Sequence, residues 1–175
     1  FIKKIVDFVK GLHLSHNKFR FAITTNGILI KKYATFFAEN NFSMLISLDG
    51  NEKNNQYRVY KNGKPAFDTI LENVYSLKAN YPVYFKNHVK FNAVLHNKNS
   101  VSDIYNFFKN KFNKIPSIAE LNTTRINPQM KEKFLKLYSR ITDSLYQSED
   151  YSAIEGEMLV KLPMLMILTT FLHVY

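Results

Sequence analysis

The feature that most constrains the fold is a repeated alternation between short apolar runs and longer helical patterns. Four runs have the length of a β-strand, at 19–25, 42–48, 89–95 and 119–126. Apolar side chains recur at the spacing of an amphipathic helix in four further segments, 1–14, 28–40, 67–80 and 100–112. The pattern predicts a helix followed by strand–helix units, with a long polar loop over 51–66.

Strands that alternate with helices form right-handed βαβ units and a parallel sheet. No two-residue hairpin joins any two of the runs, which argues against an antiparallel meander. We therefore predict an α/β fold, and either a doubly wound sheet or part of a barrel satisfies the pattern. Helical patterns over 129–146 and in the segment interrupted by Pro163 predict C-terminal helices.

The charge balance raises a nucleic acid or another anion as a partner, because the formal net charge is +10. Lysine pairs occur at Lys3-Lys4 and Lys31-Lys32, with no longer run. Only four arginines occur, and arginine is the residue suited to bidentate contacts with phosphates and bases. The distribution favours a solvated lysine-rich surface, and we predict no nucleic-acid partner.

The 175 residues contain no cysteine, which excludes disulfides, zinc–thiolate sites and thiolate nucleophiles within this sequence. His13 and His16 could share a helix face, but they fall at a helix end and we predict no metal site. The opening FIKKIVDFVKGL is an amphipathic helix rather than a signal peptide. The apolar tail LPMLMILTTFL is too short to span a bilayer, so no membrane partner is expected.

Polar residues follow the predicted strands, and ligands of parallel α/β folds bind at the carboxyl ends of strands. Thr25 and Asn26 end the first strand, and Ser47 and Asp49 end the second. Arg58 lies in the polar loop beyond them, where a guanidinium could bind a ligand carboxylate. Asn92 and His96 lie at the end of the third strand, and Thr124, Arg125 and Asn127 at the end of the fourth.

These residues form a pattern that resembles a known enzyme family. The run TTNG at 24–27, then LISLDG at 45–50, then Tyr57-Arg58, then Gly63 with Phe67-Asp68, is similar to the middle of radical S-adenosylmethionine (radical SAM) enzymes. The likeness covers about residues 1–128 and is strongest to the subgroup with a C-terminal SPASM extension, the anaerobic sulfatase-maturating enzymes and peptide maturases. Asn51 and Asn54-Asn55 stand where that family often has a proline and a His-Asp pair.

The resemblance implies a partial (β/α)6 barrel of the TIM type, in which this chain supplies the third to sixth strands. It implies that Ser47 contacts the ribose or methionine part of S-adenosylmethionine (AdoMet). Arg58 would pair with the methionine carboxylate, and Thr25, Asn26 and Asp49 would shape the rim. The implied reaction is reductive cleavage of AdoMet to a radical that abstracts a hydrogen from a peptide or protein substrate.

The resemblance also implies a [4Fe-4S] cluster held by a CxxxCxxC loop, and no such loop occurs in this sequence. We therefore expect a fragment that is inactive alone, with CxxxCxxC and then GGEP encoded before Phe1 and a cysteine-rich segment after Tyr175. Residues 1–128 would be the central part of the barrel, and 129–175 a helical segment leading to the SPASM-like region. We expect a cytoplasmic protein.

Two other functions remain open from the sequence. One is a different α/β barrel enzyme whose polar rim binds a small anionic metabolite. The other is a basic nucleic-acid-binding module without catalysis, whose affinity would fall steeply with salt.

Overall fold

The computed structural model describes residues 1–12, 19–96 and 98–120. These residues form four parallel strands, five α-helices and one short 3-10 helix. In chain order the elements are α1 (Ile2–Gly11), β1 (Ala22–Thr25), α2 (Ile30–Glu39), β2 (Ser43–Ser47), the 3-10 helix (Glu52–Asn55), α3 (Phe67–Asn80), α4 (Pro82–His88), β3 (Val89–Leu95), α5 (Val101–Phe112) and β4 (Ser117–Glu120). The predicted parallel α/β fold is confirmed. The predicted C-terminal helices, His13 and His16 lie outside the described residues.

The strands follow one another across the sheet in the order β1-β2-β3-β4, and each pairs in parallel with the next. A doubly wound sheet reverses its strand order at a switch point, whereas consecutive strands of a (β/α) barrel lie side by side. The observed order therefore favours the barrel alternative over the doubly wound one.

One face of the sheet packs against the helices and forms the core. Phe91 on β3 lies with its ring centroid 4.7 Å from that of Phe108 and 5.0 Å from that of Phe112, both on α5. Because side chains alternate between the faces of a strand, Met44 and Ile46 of β2 share this face and are fully buried. The helices α2, α3 and α5 place their own buried apolar side chains in the same cluster.

The other face of the sheet, which we call the open face, has smaller and more polar side chains. In register, Thr24 pairs with Leu45, and Leu45 with Lys90. These three side chains are exposed or partly exposed. The same holds for the other residues of β2, β3 and β4 that alternation places on this face further along the strands, namely Ser47, Asn92, Val94, Ser117 and Ala119. No element of the described residues covers this face with a helix, as expected for the interior of a partial barrel.

Several element boundaries differ from the prediction. Helix α4 was not predicted; it begins at Pro82, a residue suited to the first turn, and Tyr84 Oη donates to the Phe42 carbonyl at 2.8 Å. Burial raises the pKa of Tyr84 to about 12. The predicted long loop over 51–66 contains the 3-10 helix, and the fourth strand begins at Ser117 rather than at Ala119. Ser100 caps α5, since its Oγ accepts the Asp103 N–H at 3.1 Å.

Candidate functional site

Ser47 is the last residue of β2 and lies on the open face. It pairs in register with Asn92 of β3, and Asn92 pairs with Ser117 of β4, so three polar side chains form a row across the sheet. Within the described residues, none of these three side chains makes a hydrogen bond. The row therefore offers hydroxyl and amide groups that are free for a ligand at the carboxyl end of the strands.

Asp49 and Arg58 form an ion pair two residues beyond the end of β2. Arg58 Nη2 lies 2.6 Å from Asp49 Oδ1, and the same oxygen accepts the Val94 N–H of β3 at 2.8 Å. The Asp49 side chain is 4% exposed and the Arg58 side chain 20% exposed. The pair thus joins the loop after β2 to the neighbouring strand, at the carboxyl end of the sheet.

Asn55 fixes the shape of the loop between β2 and Arg58. Its Oδ1 accepts the Asp49 N–H at 2.9 Å, and its Nδ2 donates to the carbonyls of Gly50 and Asn51, each at 2.7 Å. One buried amide therefore satisfies three backbone groups that the turn would otherwise leave unpaired. Its backbone carbonyl accepts the Arg58 N–H at 2.9 Å, which orients the residue that forms the ion pair.

Two buried donors of this loop have no acceptor among the described residues, Arg58 Nε and Asn54 Nδ2. Gly50 has a φ of +117°, and a Cβ added there would lie 2.8 Å from Asn54 Nδ2, so glycine permits both the turn and the close approach. A buried donor without a partner costs free energy, and such groups occur where a ligand or water supplies the acceptor.

His96 follows β3 directly and contacts the same loop. Its Nε2 lies 2.8 Å from the Asn54 carbonyl, and its Nδ1 accepts the Lys98 N–H at 3.1 Å. The side chain is buried, with 1% of the residue exposed, and the Tyr57 ring meets it edge to face at 5.0 Å between centroids. Burial lowers the pKa of His96, against the opposing effects of the Asn54 hydrogen bond and of Asp49.

The polar side chains at the end of β1 accept hydrogen bonds from the backbone of the turn that follows. Thr25 Oγ1 accepts the Gly27 N–H at 3.2 Å, and Asn26 Oδ1 accepts the Ile28 N–H at 3.2 Å. By strand alternation Thr25 shares the face of Ile46, whereas Thr24 lies on the open face with Ser47. From α3, Asn73 Nδ2 donates to the carbonyls of Gly27 at 3.0 Å and Ile28 at 2.8 Å.

The structure pairs the predicted residues Asp49 and Arg58, and Ser47 is the last residue of the strand that leads to Asp49. Thr25 and Asn26 lie at the end of the adjacent strand, where their side chains bind backbone groups of the turn. The sequence did not reveal the contacts of Asn54 and Asn55, although their position at the family's His-Asp place was a signal. No group of acidic or histidine side chains suited to a metal ion occurs in the described part of the chain.

Comparison with known proteins identifies homologues of the chain. The chain is 32% identical over 151 residues to a cysteine-type anaerobic sulfatase-maturating enzyme of Clostridium novyi, and the match spans 77% of the chain. It is 37% identical over 93 residues, half of the chain, to a serine-type anaerobic sulfatase-maturating enzyme of Bacteroides thetaiotaomicron. The chain is a homologue of the anaerobic sulfatase-maturating enzymes. The radical SAM resemblance is thereby confirmed, although no protein-family model matches the chain.

The fold comparison agrees with this assignment. The solved structure of anSMEcpe with bound AdoMet and Kp18Cys peptide matches 90% of the chain with a TM-score of 0.62 at 23% identity. The four-stranded parallel sheet of the chain matches the fold of this relative and is consistent with part of a barrel. The chain spans 38% and 21% of the lengths of the two curated relatives and 44% of the solved one.

In the described part of the chain, no helix has the length and apolar character needed to cross a membrane.

Proposed function

We propose that this chain is the central part of a radical SAM enzyme and that Ser47 and Arg58 bind AdoMet at the carboxyl end of its sheet. The single observation behind the proposal is the loop after β2. There the guanidinium of Arg58, whose buried Nε has no acceptor among the described residues, pairs with Asp49 two residues beyond Ser47, an open-face serine whose hydroxyl makes no hydrogen bond within those residues. The homology to sulfatase-maturating enzymes and the AdoMet bound in their solved relative support it.

The geometry of Arg58 fits a ligand carboxylate. Asp49 pairs with Nη2, whereas Nε has no acceptor among the described residues and remains available to donate a charge-assisted hydrogen bond to an anionic partner. Asp49 neutralises the guanidinium when no ligand is bound, and it holds the guanidinium in one orientation. Ser47 would contact the ribose or methionine part, while Thr25 and Asn26 set the turn that forms the rim.

The iron–sulfur cluster would be held by residues outside this sequence, because its ligands are cysteine thiolates and none of the 175 residues is a cysteine. When present, the cluster supplies the electron that cleaves AdoMet reductively. The role of this chain is then to orient AdoMet on the open face and to exclude water. We propose that the chain alone binds no cluster and turns nothing over.

The substrate in this proposal is a peptide or protein, as the peptide bound to the solved relative suggests by analogy. Residues 1–128 would form the central part of the barrel, and 129–175 would lead toward a SPASM-like region. A cytoplasmic location fits the proposal, because the cytosol keeps thiols reduced and available as cluster ligands.

The test is an AdoMet titration of the chain by isothermal calorimetry, with variants of the two binding residues. We expect Ser47→Ala and Arg58→Met each to weaken the affinity about tenfold, the equivalent of one lost charge-assisted or hydroxyl hydrogen bond. Ser43→Ala is the matched control, because Ser43 lies on the same strand and face, about 13 Å away at 3.3 Å per residue.

A wild-type chain that binds AdoMet no more tightly than a small carboxylate such as acetate would contradict the proposal. So would equal effects of Ser47→Ala and Ser43→Ala. Sequencing the reading frame around the chain gives an independent check, because the proposal expects CxxxCxxC and then GGEP ahead of Phe1.

A further inference from the structure

We infer that His96 is a positioning residue for AdoMet, which holds the loop from Asp49 to Arg58 in its ligand-binding shape through the hydrogen bond to the Asn54 carbonyl. The inference rests on the proposed function, since that function makes this loop the carboxylate-binding element. His96 itself would not touch AdoMet. It acts through Asn54, from the end of the neighbouring strand.

The hydrogen bonds of His96 define one protonation state. Its Nδ1 accepts the Lys98 N–H and its Nε2 faces the Asn54 carbonyl, an acceptor, so the proton of a neutral ring lies on Nε2. Asn99 Nδ2 also lies 3.2 Å from Nε2, and in this tautomer it donates to the Val94 carbonyl and not to the ring. Asn99 fixes the backbone of His96, because its Oδ1 accepts the His96 N–H at 2.9 Å and its Nδ2 donates to the Val94 carbonyl at 2.9 Å. The ring is therefore oriented by groups that belong to β3 and its following loop.

A contact path leads from Asn54 to the binding residue. Asn54 and Asn55 are the last two residues of the 3-10 helix, and the Asn55 carbonyl accepts the Arg58 N–H. The Asn55 side chain binds the backbone of Asp49, Gly50 and Asn51. A shift of Asn54 would therefore displace both the amide that shapes the turn and the backbone of Arg58.

Protonation of His96 would oppose this arrangement. A second proton on Nδ1 would face the Lys98 N–H, a donor against a donor, and the bond between them would be lost. The charged groups near the ring are Asp49, which favours the imidazolium, and Arg58 and Lys98, which disfavour it, while Tyr57 meets the ring edge to face. Burial has the largest effect and lowers the pKa of His96, so the neutral ring persists at pH 7.

Three substitutions of His96 distinguish loss of its hydrogen bond to the Asn54 carbonyl from loss of side-chain volume. His96→Gln places an amide nitrogen near the position of Nε2 and can still donate to Asn54. His96→Asn places its polar atoms near Nδ1 and cannot reach Asn54, and His96→Leu has no polar atoms. Val74→Ala is the control for general loss of stability, since Val74 is fully buried on α3 and belongs to the hydrophobic core cluster.

The first readout is hydrogen exchange of the Arg58 and Asn55 backbone amides, which needs no AdoMet. We expect the Leu and Asn variants to exchange these amides about tenfold faster, the equivalent of one lost hydrogen bond, and His96→Gln to restore protection. Amides of helix α2 should stay unchanged in all three. Unchanged exchange rates of the loop amides in both His96→Leu and His96→Asn would overturn the inference. If His96→Leu does not fold, the comparison of exchange rates between His96→Asn and His96→Gln decides.

The second readout is AdoMet affinity as a function of pH. Because burial lowers the pKa of His96, we expect the affinity of the wild-type chain to hold at the ordinary histidine pKa of about 6.5 and to fall only at lower pH, and His96→Gln to remove this dependence. The same pH profile in wild type and His96→Gln would contradict the inference. Failure of the wild type to bind AdoMet at any pH would refute the proposed function instead, while the exchange data would still decide the role of His96.

Discussion

The ion pair of Asp49 and Arg58 gives the sharpest test of the site as a folded unit. In Asp49→Asn the amide oxygen can still accept the Val94 N–H, so the substitution removes the charge and leaves that backbone contact in place. The Arg58 guanidinium then loses its anion inside a site where its side chain is only 20% exposed. Removing one partner of a buried pair costs about 3 to 5 kcal/mol, and the partial exposure of Arg58 places the expected loss near 3 kcal/mol.

Urea unfolding with linear extrapolation measures this loss as a change in the free energy of unfolding. In a thermal melt the same loss corresponds to a decrease of about 6 to 12 °C for a domain of this size. The matched control is Glu72→Gln, because Glu72 and Lys31 form a surface pair at 3.6 Å with side chains 73% and 66% exposed. We expect that variant to lose less than about 1 kcal/mol.

A double-mutant cycle completes the test. Replacing both partners, in Asp49→Asn with Arg58→Met, leaves no uncompensated charge, so the double variant should be more stable than the sum of the single losses implies. An Asp49→Asn loss below about 1 kcal/mol together with additive single effects would refute the reasoning, because it would mean that the pair behaves like a solvated surface contact.

Three further predictions follow from other contacts. Asn55→Ala should destabilise the chain by at least about 2 kcal/mol in urea unfolding, because it leaves two carbonyls and one N–H without their partner. Gly27→Ala should cost at least about 1 kcal/mol more than Gly63→Ala: both have a positive φ, but only at Gly27 would a Cβ meet Ile70 Cγ2, at 2.7 Å. Tyr84 should ionise near pH 12 in an ultraviolet titration, so its contribution to stability is present below about pH 10 and is lost as the pH rises toward 12.

The strongly patterned elements could be predicted from the sequence and the short ones could not. The predicted ranges 67–80 and 89–95 coincide with α3 and β3, since a long amphipathic helix and an alternating buried strand have clear periods. Helix α4 spans only seven residues, with Pro82 as its sole start signal, and such a length is too short for periodicity to identify. The 3-10 helix depends on a local cap, in which Asn51 Oδ1 accepts the Asn54 N–H at 3.2 Å.

The candidate site was predictable in position but not in its contacts. Strand-end reasoning placed Ser47 and Asp49 at the carboxyl edge of the sheet, with Arg58 in the polar loop beyond them. The pairing of Asp49 with Arg58 depends on the path of the loop, which hydrophobic periodicity does not specify. The face of Thr25 depends on strand register, and a shift of one residue exchanges the two faces.

The hydrogen bonds of Asn73 have a consequence for how this fold can be divided. The turn that closes the first strand–helix unit is completed by the helix of the second, since Asn73 occupies the carbonyls of Gly27 and Ile28. A shortened chain that ended before α3 would contain the whole first unit and still lack these contacts. Successive units therefore depend on their neighbours, so a module transplanted into another barrel would have to include two consecutive units to bring its own first turn intact.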